Sequence, residues 1–227
     1  MIGKSFSWKS LANLNAYTKL LIHSNTTDGS TTFTDSSLSA HTVIDLGGIE
    51  HDTDQKKFGQ SSILCGASKF LEIAAHTDFN LGTNQFTADF WVRFSTESGT
   101  QGFFRQWSEI TSGMSFYKDD SNLVFYAVNG ASTLTVSKPW SPSADTWYHI
   151  AVVRSAGNVF TLYVNGRSIG SETQSFTIIN DTGYFMVGQA YYGSSQAFMY
   201  GWIDEFRLVN GKAMWTTNFV PPAGMYS

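Results

Sequence analysis

Cysteine occurs once, at Cys65, and a lone thiol excludes an internal disulfide. It lies in "SSILCGASKF", where no basic neighbour lowers its pKa, and reads as a small buried hydrophobe. Proline is scarce, with 4 residues against 20 glycines, and only 14% of the chain is charged. With 15% aromatics, that balance excludes a disordered chain. Basic residues never cluster, and 14 Lys and Arg against 18 Asp and Glu leave a formal net charge of -4. A nucleic-acid surface needs clustered phosphate neutralisers, so that partner is excluded. No run approaches the ~18–20 apolar residues of a spanning helix, so no membrane insertion is expected. The opening "MIGKSFSWKSLANLNAY" lacks the apolar stretch of a signal peptide. Carriage on a larger particle would explain a role outside a cell.

What is present is strand signal. The 227 residues suffice for one large core. From Tyr17 onward, short β-branched and aromatic runs alternate with Gly, Asn, Asp and Ser at even spacing, which marks a sandwich or barrel. "TADFWVRFS" sends Phe90, Val92 and Phe94 one way, and Trp91 and Arg93 the other. "WYHIAVVR" is apolar on both faces and reads as a central, doubly covered strand. "NVFTLYVNGRSIGS" is a hairpin closed by Asn165-Gly166, a two-residue turn with positive φ. "SLANLNAYTKLL" is the best helix candidate and fits an extended arm equally well.

Catalytic groups are sparse. The adjacent acids Asp204 and Glu205 open the strand "GWIDEFRL". A retaining glycosidase needs two carboxyls about 5–5.5 Å apart in one cleft. Strict alternation would send these two to opposite faces, with Asp204 beside Phe206 and Leu208, and Glu205 beside Arg207. Glu72, Glu97, Glu109 and Glu172 open neither a Glu-x-Asp-x-x-Glu run nor one with a residue fewer between the last two acids. The histidines His23, His41, His51, His76 and His149 form no H-x-x-x-H doublet. His149, between Tyr148 and Ile150, reads as a hydrogen-bonded structural residue. An enzyme is therefore not expected. Asp204 near apolar neighbours must either accept hydrogen bonds or meet a cation.

Aromatic rings beside polar side chains in loops can stack against and orient a ligand, so ring-bearing loops are the binding candidates. "QAYYGSSQAFMY" offers Tyr191, Tyr192 and Gln196. "FFRQWSEITSG" offers Arg105 and Trp107 beside Gln106 and Glu109. Trp140, in "SKPWSPSADTW", reads as packing.

The motifs "FGQSSILCGASKFLEI", "FTADFWVRF", "WYHIAVVRSAGNVFTLYVNGRSIG", "YFMVG" and "GWIDEFRL" occur in the order of a concanavalin A-like, laminin G-type domain. The resemblance spans roughly residues 18–227. "YTKLLIHSNTTDGSTTFTDSS" and the ending "WTTNFVPP" further resemble laminin G-like modules of phage and marine-bacterial structural proteins. The resemblance implies an all-β, two-sheet antiparallel jelly-roll sandwich with a C-terminal strap over residues 213–227. It also implies glycan or protein binding, and a structural calcium held by the last-strand aspartate against the N-terminal loop. The residues so implied are Asn25, Asp35 and Asp204, although Asn25 stands where related modules often carry an acid. Asp204 capping backbone N–H groups is the alternative.

Together these readings predict a lectin-like module displayed on a phage virion, on a tail or a capsid surface, that binds a host-surface glycan or polysaccharide. Residues 1–17 would then be an arm that attaches to other virion proteins or supports a homo-oligomer. The rival readings are a structural capsid decoration protein and a glycosidase.

Overall fold

The computed structural model describes residues 16–109, 112–179, 182–192 and 195–226. Residues 1–15, most of the expected arm, lie outside them. Nine strands come first among the described residues: β1 (Thr18–Ile22), β2 (Val43–Leu46), β3 (Glu50–Asp52), β4 (Ser62–Cys65), β5 (Phe70–Ile73), β6 (Phe86–Phe94), β7 (Gln101–Glu109), β8 (Ser112–Lys118) and β9 (Asn122–Asn129). They are followed by β10 (Ser132–Pro139), β11 (Trp147–Ser155), β12 (Val159–Val164), β13 (Arg167–Thr173), β14 (Phe185–Val187), β15 (Gln189–Tyr192), β16 (Ser195–Phe198) and β17 (Gly201–Asn210). One 3-10 turn covers Thr77–Phe79 and another Ala156–Asn158.

Two antiparallel sheets face each other in a jelly-roll sandwich. The eight-stranded sheet runs β13-β12-β11-β6-β17-β4-β3, with β1 also paired to β17. The seven-stranded sheet runs β10-β9-β8-β7-β14-β5-β2. A third, two-stranded sheet is the β15–β16 hairpin. The core between the large sheets is rich in phenylalanine. Phe90, Phe103, Phe104, Phe116 and Phe206 are fully buried, and Phe90 and Phe206 stack at 5.4 Å.

Period-two alternation explains most strands. Phe90, Val92 and Phe94 enter the core, while Trp91 joins an outer cluster with Leu21 and Tyr226. On β11, Ile150 and Val152 point inward, and Ala151 and Val153 meet a separate outer cluster. Asn165 and Gly166 have φ of 50° and 74°, the left-handed pair that a tight two-residue hairpin requires.

Alternation fails on β17. Asp204 pairs with Trp91 and Arg207 with Asp89, so Glu205 and Phe206 together oppose Phe90. Glu205 takes up this extra residue at φ 55°. The bulge turns Phe206 into the core and leaves Asp204 and Glu205 both on the outer face. Strict alternation, which separated the two acids, is corrected on this point.

That outer face is covered by the C-terminal segment. Trp215 and Phe219 stack at 3.8 Å and lie over His149, Ala151, Val153 and Tyr163. The Phe219 N–H donates to the Gly166 carbonyl at 2.8 Å. Beneath lies a buried ionic row. Arg207 Nε and Nη2 bond the two Asp89 oxygens at 3.0 and 2.9 Å. His149 Nε2 lies 3.0 Å from the Tyr226 hydroxyl and 3.3 Å from Asp89. Burial works against the Asp89 carboxylate, yet Arg207 and His149 together hold its pKa below the ordinary value.

Candidate functional site

The second large sheet carries the richer outer face. On β8 and β9, Met114, Phe116, Leu123, Phe125 and Ala127 point into the core. Their alternates Gly113, Ser115, Tyr117, Val124, Tyr126 and Val128 therefore point outward. Phe104 of β7 is core, which turns Arg105 and Trp107 to the same outer side. Register then aligns Arg105 with Ser115, Ser115 with Tyr126 and Tyr126 with the exposed Thr135.

Three rings meet there. Trp107 and Tyr126 stack at 6.1 Å with planes 16° apart. The indole lies across Gly113, where an added Cβ would come within 2.7 Å of it. Glycine at that position lets Trp107 lie down on the sheet. The β15–β16 hairpin crosses the same face and buries Ala190 against Tyr117 and Val124. It fits because Gly102 has no side chain: a Cβ there would come within 2.2 Å of the Ala190 nitrogen. Tyr191 is thereby set edge-on to Trp107 at 5.6 Å, with its N–H bonded to Ser115 Oγ at 3.2 Å.

Arg105 lies underneath. It is 5% exposed, its guanidinium sits 4.1 Å from the Tyr191 ring centroid, and its Nε donates to Gln189 Oε1 at 2.5 Å. Burial draws its pKa down, against the favourable fields of Tyr191 and Glu72. A cation so placed supports the ring from below. Trp107, Tyr126 and Tyr191 are half-buried, and Gln196, opposite Tyr191 in the hairpin, is exposed. This geometry can offer ring faces and amide groups to a ligand.

Four of the five expected ligand residues, Arg105, Trp107, Tyr191 and Gln196, thus belong to one neighbourhood. The side chain of Tyr192 lies outside the described residues. The expected loops are in fact strands: Arg105 and Trp107 sit within β7, and Tyr191 and Gln196 within a hairpin. Tyr126 and Gly113 were missed. Alternation in "NLVFYAVN" marks Tyr126 as outward, but its meeting with Trp107 depends on cross-strand register. Trp140 packs against Phe94 and Tyr148, as expected. Cys65 is buried and its thiol is pushed up to about 12 by burial.

The expected calcium ligands do not converge. Asp35 accepts from Leu21 N and Ser37 N on one oxygen, and from Ser37 Oγ and His41 N on the other, each at 2.9 Å. Those donors fill the carboxylate. Asn25 Oδ1 accepts from Gln60 N at 2.8 Å, and Asp204 Oδ2 from Lys57 N and Phe58 N at 2.9 and 3.0 Å. Burial pushes the Asp204 carboxyl up to about 8. Calcium takes six to eight oxygens, with ionised carboxylates prominent among them. This donor set does not fit it. Asn25 and Asp204 instead grip one turn, residues 57–60, while Asp35 pins β1.

The bulge does place Asp204 and Glu205 on one face, as a glycosidase dyad would require. Both are fully buried, however. The Glu205 carboxylate accepts the Tyr226 N–H at 2.6 Å and lies 2.9 Å from His23 Nδ1.

Fold and site together define a β-sandwich with an aromatic platform on one sheet. The chain belongs to the concanavalin A-like lectin/glucanases superfamily, whose laminin G-type sequence model matches residues 67–215. No curated protein matches the chain. Among solved structures it is similar to the binding domain of Paraclostridial Mosquitocidal Protein 1, with a TM-score of 0.69 and 14% identity over 89% of this chain and 50% of that one. It is similar to botulinum neurotoxin type C, described in terms of interaction with two ganglioside molecules, with a TM-score of 0.68 and 15% identity over 90% and 50%. It also resembles the binding domain of botulinum neurotoxin DC in complex with rat synaptotagmin II, with a TM-score of 0.67 and 14% identity over 89% and 50%. The chain spans about half the length of these structures, and identities this low carry the fold alone. Among the described residues no helix is long and apolar enough to cross a membrane.

Proposed function

We propose that this chain is a non-catalytic glycan-binding module that contacts its ligand through the outer face of the seven-stranded sheet. The observation that carries the reading is the convergence of Trp107, Tyr126 and Tyr191, from β7, β9 and β15, into one half-open platform. The apolar C–H face of a sugar stacks on such rings, and groups such as Gln196 and Thr135 orient its hydroxyls. The ganglioside interaction of the similar neurotoxin type C and the synaptotagmin complex of the DC binding domain, of each of which this chain matches about half, are in keeping with a glycan or protein ligand. The burial of Asp204 and Glu205 supports a binding rather than a hydrolytic role.

The proposed setting is a virion surface, on a tail or a capsid, with a host-surface glycan as ligand. Its support is the resemblance of the Tyr17-to-Ser37 and "WTTNFVPP" segments to laminin G-like modules of phage and marine-bacterial structural proteins. A glycan array screened with the wild type and with Trp107→Ala tests the proposal. Hits that vanish in the variant sustain it. An array without hits, together with many copies per capsid, would replace it with the decoration reading.

A further inference from the structure

We infer that His41, His76 and Asp78 form a binding site for a divalent transition metal of the zinc class, at the end of the β2–β5 pair. Their candidate ligand atoms all lie within 4.8 Å of one another. Asp78 Oδ2 is 3.2 Å from His41 Nε2 and 3.4 Å from His76 Nδ1. Zinc bonds of about 2.0–2.1 Å in tetrahedral array put neighbouring ligands about 3.3–3.4 Å apart. Two edges of such a tetrahedron are therefore already spaced for a metal. Two imidazoles and one carboxylate suit zinc, nickel or copper, whereas calcium and magnesium favour all-oxygen sets.

Two of the three ligands are held in advance. The His41 ring lies 4.8 Å from the buried Phe79, and its backbone N–H is fixed on Asp35. The Asp78 carbonyl accepts from Asn210 Nδ2 at 2.9 Å. Ser39 Oγ donates to Asp78 Oδ2 at 2.6 Å, the kind of outer partner that orients a ligating carboxylate. His76 is the adjustable member, with its side chain 51% exposed. Its Nδ1 accepts the Asp78 N–H at 3.1 Å, and a metal would take the place of that hydrogen bond.

Lys19 Nζ stands 3.5 Å from Asp78 Oδ1 and offsets part of the carboxylate charge. The site is accordingly weaker than a closed structural one, and three protein ligands leave a position for water or an external donor. Once filled, it would clamp the loop before β2 to the segment after β5, apart from the aromatic platform.

Titration calorimetry and thermal melts of the full chain with Zn²⁺ and Ca²⁺ test the assignment. One equivalent of Zn²⁺ is expected to bind and raise the melting temperature, with no response to Ca²⁺. His76→Ala changes an exposed residue, keeps the fold and should weaken Zn²⁺ binding by at least about tenfold. Co²⁺ gives a second readout, since tetrahedral coordination produces intense visible bands. Bands in the wild type that are lost in His76→Ala support the site. Absent Zn²⁺ binding, or equal binding and equal Co²⁺ bands in both proteins, overturns it.

Discussion

Asp204 shows how one carboxyl can be tolerated in a dry place. It cannot keep its charge beside Trp91 and Glu205, so burial raises its pKa to about 8 while two backbone N–H groups hold one oxygen. The unfolded chain has an ordinary aspartate, with a pKa of about 3.9. Between the two values the folded state binds the extra proton, so this contribution is complete below about pH 4. It is lost as pH rises through 8, with a slope of up to about 1.4 kcal/mol per pH unit. Denaturant melts of the wild type from pH 5 to 8 should show declining stability, and Asp204→Asn, isosteric with the neutral acid, should flatten the decline. An unchanged slope in the variant would mean that the proton sits elsewhere. Added calcium should leave the melting temperature of both proteins unchanged, and a rise in the wild type alone would restore a calcium role for Asp204. Trp107 tests the platform at the same scale. Trp107→Ala should weaken glycan binding about tenfold or more, a loss of about 1.4 kcal/mol, while the variant stays folded with a melting temperature a few degrees lower, as its ring contacts with Tyr126 and Tyr191 are lost.

At the scale of elements, the β12–β13 turn and the C-terminal strap form one unit. Gly166 sits at φ 74°, and a Cβ there would lie 2.0 Å from the Phe219 carbonyl oxygen. Gly166→Ala combines about 1–2 kcal/mol of backbone strain with displacement of the strap. Trp215→Ala removes the ring that stacks on Phe219 and covers His149. Full Trp→Ala losses are about 3–5 kcal/mol, and for this half-buried ring about 2 kcal/mol is expected. In a chain of this size that is about 4–8 °C of melting temperature. Unchanged melting curves for both variants would show that the strap is not anchored. The element types were largely legible, because alternation in "TADFWVRFS" and the Asn-Gly turn are local signals. The β17 bulge was not, because nothing in "GWIDEFRL" says that Glu205 will adopt positive φ until Phe206 must meet Phe90.

For the whole molecule, the two faces divide the work. On the outer face of the eight-stranded sheet the strap covers the Asp89, Arg207 and His149 row and Glu205, and the turn at residues 57–60 covers Asp204. The outer face of the seven-stranded sheet leaves its rings half open. Glycans retained by this protein should therefore stay intact: prolonged incubation is expected to release no reducing ends, and any release that survives Glu205→Gln would place a catalytic dyad elsewhere. Because β1 pairs with β17, which lies between β6 and β4, the first described strand is tied into the middle of the sheet. Unfolding is expected as one cooperative transition, and two separated calorimetric peaks would contradict that.

The sequence by itself determined the class of fold, the hairpin turn, the structural character of His149 and Cys65, and the residue types on which a glycan could stack. Those are local properties: a period of two, a pair of turn residues, a ring beside a flexible glycine. Tertiary structure alone decided that Tyr126 joins Trp107 and Tyr191, since register across β7, β8 and β9 sets that meeting. It decided that Asp35, Asn25 and Asp204 each serve a separate set of backbone donors. It also brought His41 to within reach of His76 and Asp78, across a separation in sequence that no local spacing rule spans. In each case the cause is long-range pairing, which positions side chains by strands remote in the chain.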